Sequence, residues 1–353
     1  VRGIKIYPCK NLKETIAHLN EKENEKLKPL KIGEQSETEI EKTESKTQID
    51  FSEIKGQETA KRGLEIAAAG GHNIILFGPP GTGKTMLAKA FSSILPSLAF
   101  EEALEVTGIH SASGFLDSQI ITNPPFRSPH HTSSYVSIVG GGANPKPGEI
   151  TLAHRGVLFL DEFPEFETRV IESLRQPLED RVVTISRAKG TMKFPASFTL
   201  VAAMNLCPCG NKGLKGKECV CNINAINRYQ RKISGPIADR IDLWLSVPQI
   251  EHRKLAEKDD GAENSDAIKM RVEKARGLQE KRFESVGQKT KINSEMSSRE
   301  TKKHAPLSEK CQELLISSAE RLDLSARVYN KLIKVARTIA DLDNAENIEE
   351  KHI

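Results

Sequence analysis

Gly78-Pro-Pro-Gly-Thr-Gly-Lys-Thr85 satisfies the spacing G-x-x-x-x-G-K-[ST] in full. Its glycines let backbone N–H groups close around phosphate oxygens, and a helix starting there adds its positive end. The Lys84 ammonium suits the β- and γ-phosphates, and the Thr85 hydroxyl suits Mg²⁺. The run Gly78, Pro79, Pro80, Gly81, Thr82, Gly83, Lys84, Thr85, Met86 is therefore the expected nucleotide cradle. About 75 residues later, Val157-Leu-Phe-Leu-Asp-Glu162 is an apolar run that ends in two carboxylates. Asp161 is expected to orient Mg²⁺ and its waters, and Glu162 to polarise the water that attacks the γ-phosphate. No Asn-Lys-x-Asp guanine-reading string occurs, which favours ATP over GTP.

Cys207-Pro-Cys209 and Cys219-Val-Cys221 form C-x-C-x9-C-x-C. Four thiolates on two short knuckles suit tetrahedral Zn²⁺ and leave no open coordination position, so a structural zinc is expected there. The spacing is tighter than C-x-x-C, and reduced cysteines packed in a loop are the alternative. Cys9 and Cys311 stand apart and read as structural. His130 and His131 read as part of a polar insertion loop rather than as ligands.

These residues need elements to hold them. Asn73 to Phe77 is a short apolar strand before the phosphate loop, and Met86 to Phe91 continues as helix. With the acidic strand and a third strand at Phe198 to Met204, they alternate as a parallel α/β sheet demands. Two insertions are expected. One spans about Gly108 to Pro147, and the other is a hairpin that pairs Val182–Ile185 with Thr191–Phe194 across Arg187 to Gly190.

The chain has 353 residues, enough for two or three domains with a sizeable core. Residues 1–20 end in a plausible helix over Leu12 to Leu19. Residues 21–48 are rich in Glu, Lys, Thr and Ser and read as a mobile linker. Residues 49–250 read as one α/β unit. Residues 251–353 read as helices at Asp266–Phe283, Pro306–Ala319 and Ser325–Leu342, with another starting at Asn347. Asp259 to Asn264 and Glu284 to His304 look linker-like. With 37% hydrophobic and 28% charged residues, no apolar run reaches a membrane span, so no membrane partner is expected. Val1 to Tyr7 shows no signal-peptide pattern, and a cytoplasmic location is expected. The absent initiator Met suggests a truncated or processed chain.

Several strings together resemble the AAA+ ATPases of the magnesium chelatase group, and within it the ComM (YifB) subfamily. They are Phe126-Arg-Ser-Pro-His-His131, Gly148 to His154, Leu160-Asp-Glu-Phe163, Arg175 to Asp180, Met204-Asn205 with Cys207-Pro-Cys-Gly210, Ser234 to Leu243, and Val335 to Leu342. The resemblance covers about residues 50–345. It implies an AAA+ P-loop NTPase with a parallel-sheet core, followed by an α-helical lid or C-terminal domain. It also implies that residues 1–20 are the remnant of an N-terminal Lon-like domain.

The resemblance assigns further roles. Asn205 falls at the sensor-1 position, where its amide can place the attacking water; a strand-capping Asn is the alternative. Arg240 falls at the arginine finger, reaching a neighbour's γ-phosphate; an ion pair with Asp239 or Asp242 is the alternative. Arg327 matches the sensor-2 arginine expected on the same subunit's phosphates; a helix-surface Arg is the alternative. Arg337 is a weaker candidate for either role. A homo-oligomeric ring, a hexamer, is implied.

Arg181 to Arg240 holds eleven Lys or Arg against two acids, Glu218 and Asp239, which leaves the rest of the chain net negative. A basic hairpin bearing Arg187 and Lys189 could track a DNA backbone in a ring pore. Lys212, Lys215 and Lys217 in the cysteine loop add to it. A solvated basic face, or subunit contacts through Arg228, Arg231 and Lys232, are the alternatives. The expected function is an ATP-driven motor on DNA, a helicase or branch-migration factor. Its rivals are a chelatase motor that drives Mg²⁺ into a porphyrin and a protein-remodelling ATPase.

Overall fold

A computed structural model describes residues 9–19, 49–116, 120–142, 145–187, 190–214, 216–250, 262–284 and 292–353, without the side chains of Ala17 and Arg187. It divides into two compact units, residues 1–43 and 44–353. In the first, a helix runs over Leu12–Leu19, as expected, and Asn11 Oδ1 accepts from the Glu14 amide at 3.0 Å. The expected linker, residues 21–48, lies outside the described residues.

In the second unit the described strands are β1 (Ile74–Phe77), β2 (Phe126–Arg127), β3 (Gly140–Gly141), β4 (Lys146–Pro147), β5 (Val157–Leu160), β6 (Val182–Arg187), β7 (Gly190–Pro195), β8 (Thr199–Met204) and β9 (Leu243–Ser246). Five of them form a parallel sheet in the order β2-β5-β8-β1-β9. Successive side chains on a strand point to opposite faces, and parallel sheets are covered on both. Accordingly Ile74, Leu76, Val157, Phe159, Val201, Ala203 and Leu245 enter one apolar core, while Ile75, Leu158, Leu160, Leu200, Ala202 and Met204 enter the other.

Register brings the carboxyl ends into line. Phe77 pairs with Met204 and Leu160 with Ala202, so the segments that follow β1, β5 and β8 emerge side by side. That is the end at which open α/β sheets bind ligands. The helix Glu58–Gly70 covers β9 closely because small residues line its buried face. A Cβ on Gly63 would stand 2.4 Å from Leu245 Cδ2.

The C-terminal part of this unit is helical, at Ser265–Glu284, Ser298–His304, Glu309–Arg321 and Ala326–Leu342. The helix Ser265–Glu284 packs on both Glu58–Gly70 and Ala326–Leu342. Behind it lies a buried polar cluster. Asp341 accepts from Arg282 at 3.0 Å, from Asn293 at 2.8 Å and from Arg337 at 2.9 Å, and Thr338 Oγ1 meets His72 Nε2 at 2.9 Å.

Three expectations need revision. The stretch read as an insertion over Gly108 to Pro147 contains β2, a sheet strand, besides the helix Tyr135–Val139. A two-residue edge strand has too few residues to show a period. Residues Glu284 to His304, read as linker, contain the helix Ser298–His304, which opens on a capping box between Ser297 and Glu300. At Asn347 no α-helix starts; Ile348 bridges to Leu307 and a 3-10 turn follows at Glu350–His352.

Candidate active site

The phosphate loop leaves β1 at Gly78, whose amide donates to Met204 O at 3.2 Å. Only glycine fits there, because a Cβ would lie 2.1 Å from Val247 O. Gly81 and Gly83 meet no such crowding; their left-handed φ values of 74° and 91° are what require glycine. The turn delivers Lys84 to the start of the helix Lys84–Phe91. Lys84 is buried, and its Nζ donates to Gly78 O at 2.9 Å, Pro79 O at 2.7 Å and Asn205 Oδ1 at 3.1 Å. These use all three ammonium donors. Burial lowers the Lys84 pKa, and the charge of Asp161 opposes that shift.

One residue on, Thr85 Oγ1 donates to Asp161 Oδ2 at 2.8 Å. A hydroxyl and a carboxylate facing one another beside a phosphate cradle are the oxygen donors that Mg²⁺ accepts alongside substrate phosphates. The residues therefore fit a Mg²⁺–nucleotide. Glu162 follows with a left-handed backbone, φ 51° and ψ 42°, uncommon for a non-glycine residue and a feature that concentrates at functional sites. Its side chain is half exposed, and Oε2 lies 3.1 Å from His131 Nδ1. His131 is in turn flanked by the rings of His130, at 4.2 Å, and Phe166, at 6.4 Å. The sequence reading missed His131 as the partner of Glu162; Pro-His-His in an aperiodic stretch carries no signal of where its ring will land. Burial pushes the Tyr229 hydroxyl up to about 12, against the opposing pull of the Asn205 backbone beside it.

Arg240 and Arg327 lie elsewhere. Asn73, just before β1, donates from Nδ2 to Arg240 O at 3.0 Å. Arg240 thus belongs to the amino end of the strand whose carboxyl end carries Gly78. Five residues of extended chain separate the two ends by roughly 16 Å. The Arg240 guanidinium donates to Pro236 O at 2.6 Å and pairs with Glu179, not with Asp239 or Asp242. Arg327 pairs with the same Glu179. Burial opposes charge on Glu179, but the two guanidiniums prevail and hold its carboxyl below the usual range. The cleft that Arg240 and Arg327 line together, of about 920 Å³, contains no phosphate-loop residue. Arg327, expected on its own subunit's phosphates, lines this cleft beside Arg240, at a distance from the phosphate loop. Arg337 is buried among Asp341 and the carbonyls of Ala345 and Glu346, a structural position.

The four cysteines come together. Sulfur separations are 3.5 Å for Cys207–Cys209, 3.7 Å for Cys209–Cys219 and 3.6 Å for Cys219–Cys207, and with Cys221 all four lie within 4.8 Å of one another. Tetrahedral Zn²⁺ with Zn–S near 2.3 Å requires sulfurs about 3.8 Å apart. The donor set and its spacing fit that ion. Within this set a bond from the Asn211 amide pulls Cys209 down to about 6, while Cys219 and Cys221 are pushed up beside it, Cys221 to about 11.

The hairpin is present and longer than expected, as β6 paired antiparallel with β7 from Val182↔Pro195 to Arg187↔Gly190. Val183 and Ile185 anchor it in the core, while Thr191, Met192 and Lys193 are exposed. Lys189 and the Arg187 side chain lie outside the described residues, as does Lys215. No helix among the described residues is long and apolar enough to cross a membrane.

A phosphate loop, an acidic strand end and a polar residue on the intervening strand, all at the carboxyl edge of a parallel sheet, define a P-loop NTPase fold of AAA+ type. Residues 50–255 match the family described as magnesium chelatase, subunit ChlI, and residues 262–353 match its C-terminal domain. The chain belongs to this family. It is 44% identical over 305 residues to YifB of Salmonella typhimurium, covering 86% of this chain and 59% of that protein. It is 43% identical over 309 residues to the competence protein ComM of Haemophilus influenzae, covering 87% and 59%. Lon protease 2 of Bacillus subtilis is 30% identical over 184 residues, half of this chain and 33% of that protein. The chain spans about three fifths of the length of the YifB and ComM relatives it matches.

Proposed function

We propose that this chain is the motor portion of a ring-forming, cytoplasmic ATPase of the ComM/YifB type that acts on DNA. The observation that carries the ATPase reading is the convergence of Lys84, Thr85, Asp161, Glu162 and Asn205 at one sheet edge. In this reading Lys84 exchanges its bonds to Gly78, Pro79 and Asn205 for phosphate oxygens. Mg²⁺ held by Thr85 and Asp161 would neutralise charge on the phosphates. Glu162 turns from His131 to the attacking water and takes up its proton, while the Asn205 amide keeps that water in line. Arg240, at the far end of β1, completes a neighbour's site and not its own, which makes a ring of subunits, a hexamer, the working form. Structural Zn²⁺ on Cys207, Cys209, Cys219 and Cys221 is part of the same reading, and reduced thiolates suit a cytoplasmic setting.

DNA as substrate is supported by the basic block around β6 and β7 and by the likeness to a protein named for competence. The family description supports a second reading, a motor that drives metal insertion into a porphyrin. One measurement separates them: the ATPase rate of the ring without DNA and with single strands, duplex and a branched junction. Stimulation by one DNA form supports the DNA motor. A rate indifferent to all of them moves the reading to the chelatase or to protein remodelling.

A further inference from the structure

We propose that the cysteine knuckle is a metal-dependent brace of the phosphate loop, so that loading of a soft divalent ion such as Zn²⁺ sets the affinity for nucleotide. The inference rests on the zinc reading and goes beyond it. Between Met204 and Ile223 the described backbone forms neither helix nor strand. Among the described residues its bonds include Gly210 N to Cys207 O at 3.1 Å, Leu214 N to Asn211 O at 3.0 Å and Asn211 Nδ2 to Glu218 O at 3.3 Å, and several of its amides turn toward the cysteine sulfurs, as Lys212 N does toward Cys207 Sγ at 3.4 Å. Cross-linking the four sulfurs through a metal is what would restrict such a loop.

The loop also touches the site at both ends of the Lys84 bonding pattern. It begins at Asn205, whose Oδ1 accepts from Lys84, two residues before the buried Cys207. Further along, Gly210 and Gly213 lie against the phosphate loop in left-handed conformations, φ 77° and 86°. A Cβ on Gly210 would stand 3.2 Å from Pro80 Cγ, and one on Gly213 would stand 3.3 Å from Pro79 Cγ. Pro79 matters most, because its carbonyl accepts from both Lys84 Nζ, at 2.7 Å, and Thr82 Oγ1, at 2.9 Å. The knuckle therefore backs the two prolines and presents Asn205 in one rigid piece. Without the metal the backing of Pro79 and Pro80 loosens, and the loop amides lose their fixed placement for phosphate.

The test uses the full chain purified without chelators. Elemental analysis should find about one Zn²⁺ per chain. A fluorescent ATP analogue is then titrated at fixed excess Mg²⁺ into loaded protein, into protein stripped with a zinc-selective chelator, and into stripped protein given back Zn²⁺. Stripping should weaken binding roughly ten-fold or more, the scale of one charge-assisted hydrogen bond, with the far-UV spectrum preserved. Zn²⁺, and not additional Mg²⁺, should restore it. Should stripping unfold the protein, Gly210→Ala keeps all four sulfurs while pressing on Pro80. It should retain zinc and bind the analogue several-fold more weakly. Stoichiometric zinc with affinity unchanged by stripping, or a zinc-loaded Gly210→Ala of unchanged affinity, overturns the brace and leaves the zinc site standing. A zinc content near zero overturns both.

Discussion

Thr85 Oγ1 donates to Asp161 Oδ2 at 2.8 Å, joining the first turn after the phosphate loop to the end of a strand 76 residues away. The Asp161 Oδ1 atom accepts from the Glu162 amide at 2.9 Å, so one carboxylate faces the metal position and also fixes the backbone of the next acid. Substitutions here should separate binding from chemistry. Lys84→Ala should weaken ATP binding and turnover together, because the cradle loses its cation. Glu162→Gln should bind ATP within a few-fold of the unmodified protein and hydrolyse it about 10² to 10⁴ times more slowly. Equilibrium binding and single-turnover hydrolysis measure the two. Near-normal turnover in Glu162→Gln would sink the role assigned to it.

Arg240 should act across a subunit boundary, since β1 stands between it and Gly78 in its own chain. Arg240→Ala rings should lose about 10³-fold or more in turnover, the range for a transition-state arginine. Mixed with an excess of Lys84→Ala subunits, they should recover part of it, because hybrid interfaces combine an intact cradle with an intact arginine. The readout is turnover against mixing ratio, with mixed assembly confirmed by mass. No recovery in rings shown to be mixed would count against this placement.

The parts that repeat or turn sharply were legible in advance. β1, β5 and β8 read as strands because short, largely apolar runs ended at Gly78, Asp161 and Asn205, and a helix was expected over Ser325–Leu342, where Ala326–Leu342 forms one capped by Ser325. Three glycines within six residues announced the phosphate loop. β2 was not legible, since two residues carry no pattern. The His131–Glu162 pair and the sharing of Glu179 by Arg240 and Arg327 were not legible either. They join segments separated by 61 and 148 residues in the case of Glu179, and only the folded sheet determines which side chains meet. Arg327 shows the same limit from the other side. The resemblance implies a phosphate ligand there, while its pairing with Glu179 depends on how the C-terminal helices pack, which no local pattern announces.

Asp341 should be a stability residue that the nucleotide site does not notice. It is buried and receives Arg282, Asn293 and Arg337. Asp341→Ala strands two guanidiniums without their shared carboxylate, a loss of about 3–5 kcal/mol when one partner of a buried pair is removed. Urea unfolding should show that loss as a lower midpoint at unchanged slope, while ATP affinity at low urea stays the same. A midpoint shift that corresponds to less than about 1 kcal/mol would show the cluster to be dispensable.

The hairpin should be where DNA is held. β6 and β7 pair without interruption to Arg187↔Gly190, and Val183 and Ile185 pin the base in the core. Thr191, Met192 and Lys193 of β7 are exposed. Changing Arg187 and Lys189 to Glu should weaken DNA binding strongly. It should also flatten its dependence on salt, by roughly 0.7 to 0.9 in the logarithmic slope for each phosphate no longer neutralised. Neither residue belongs to the nucleotide cradle, so the ATPase rate without DNA should survive, and stimulation by DNA should fall along with binding. Fluorescence anisotropy at two salt concentrations, on rings of confirmed mass, measures this. Affinity equal to that of the unmodified ring at both salts would defeat the hairpin assignment and shift the reading toward a chelatase motor or a protein remodeller.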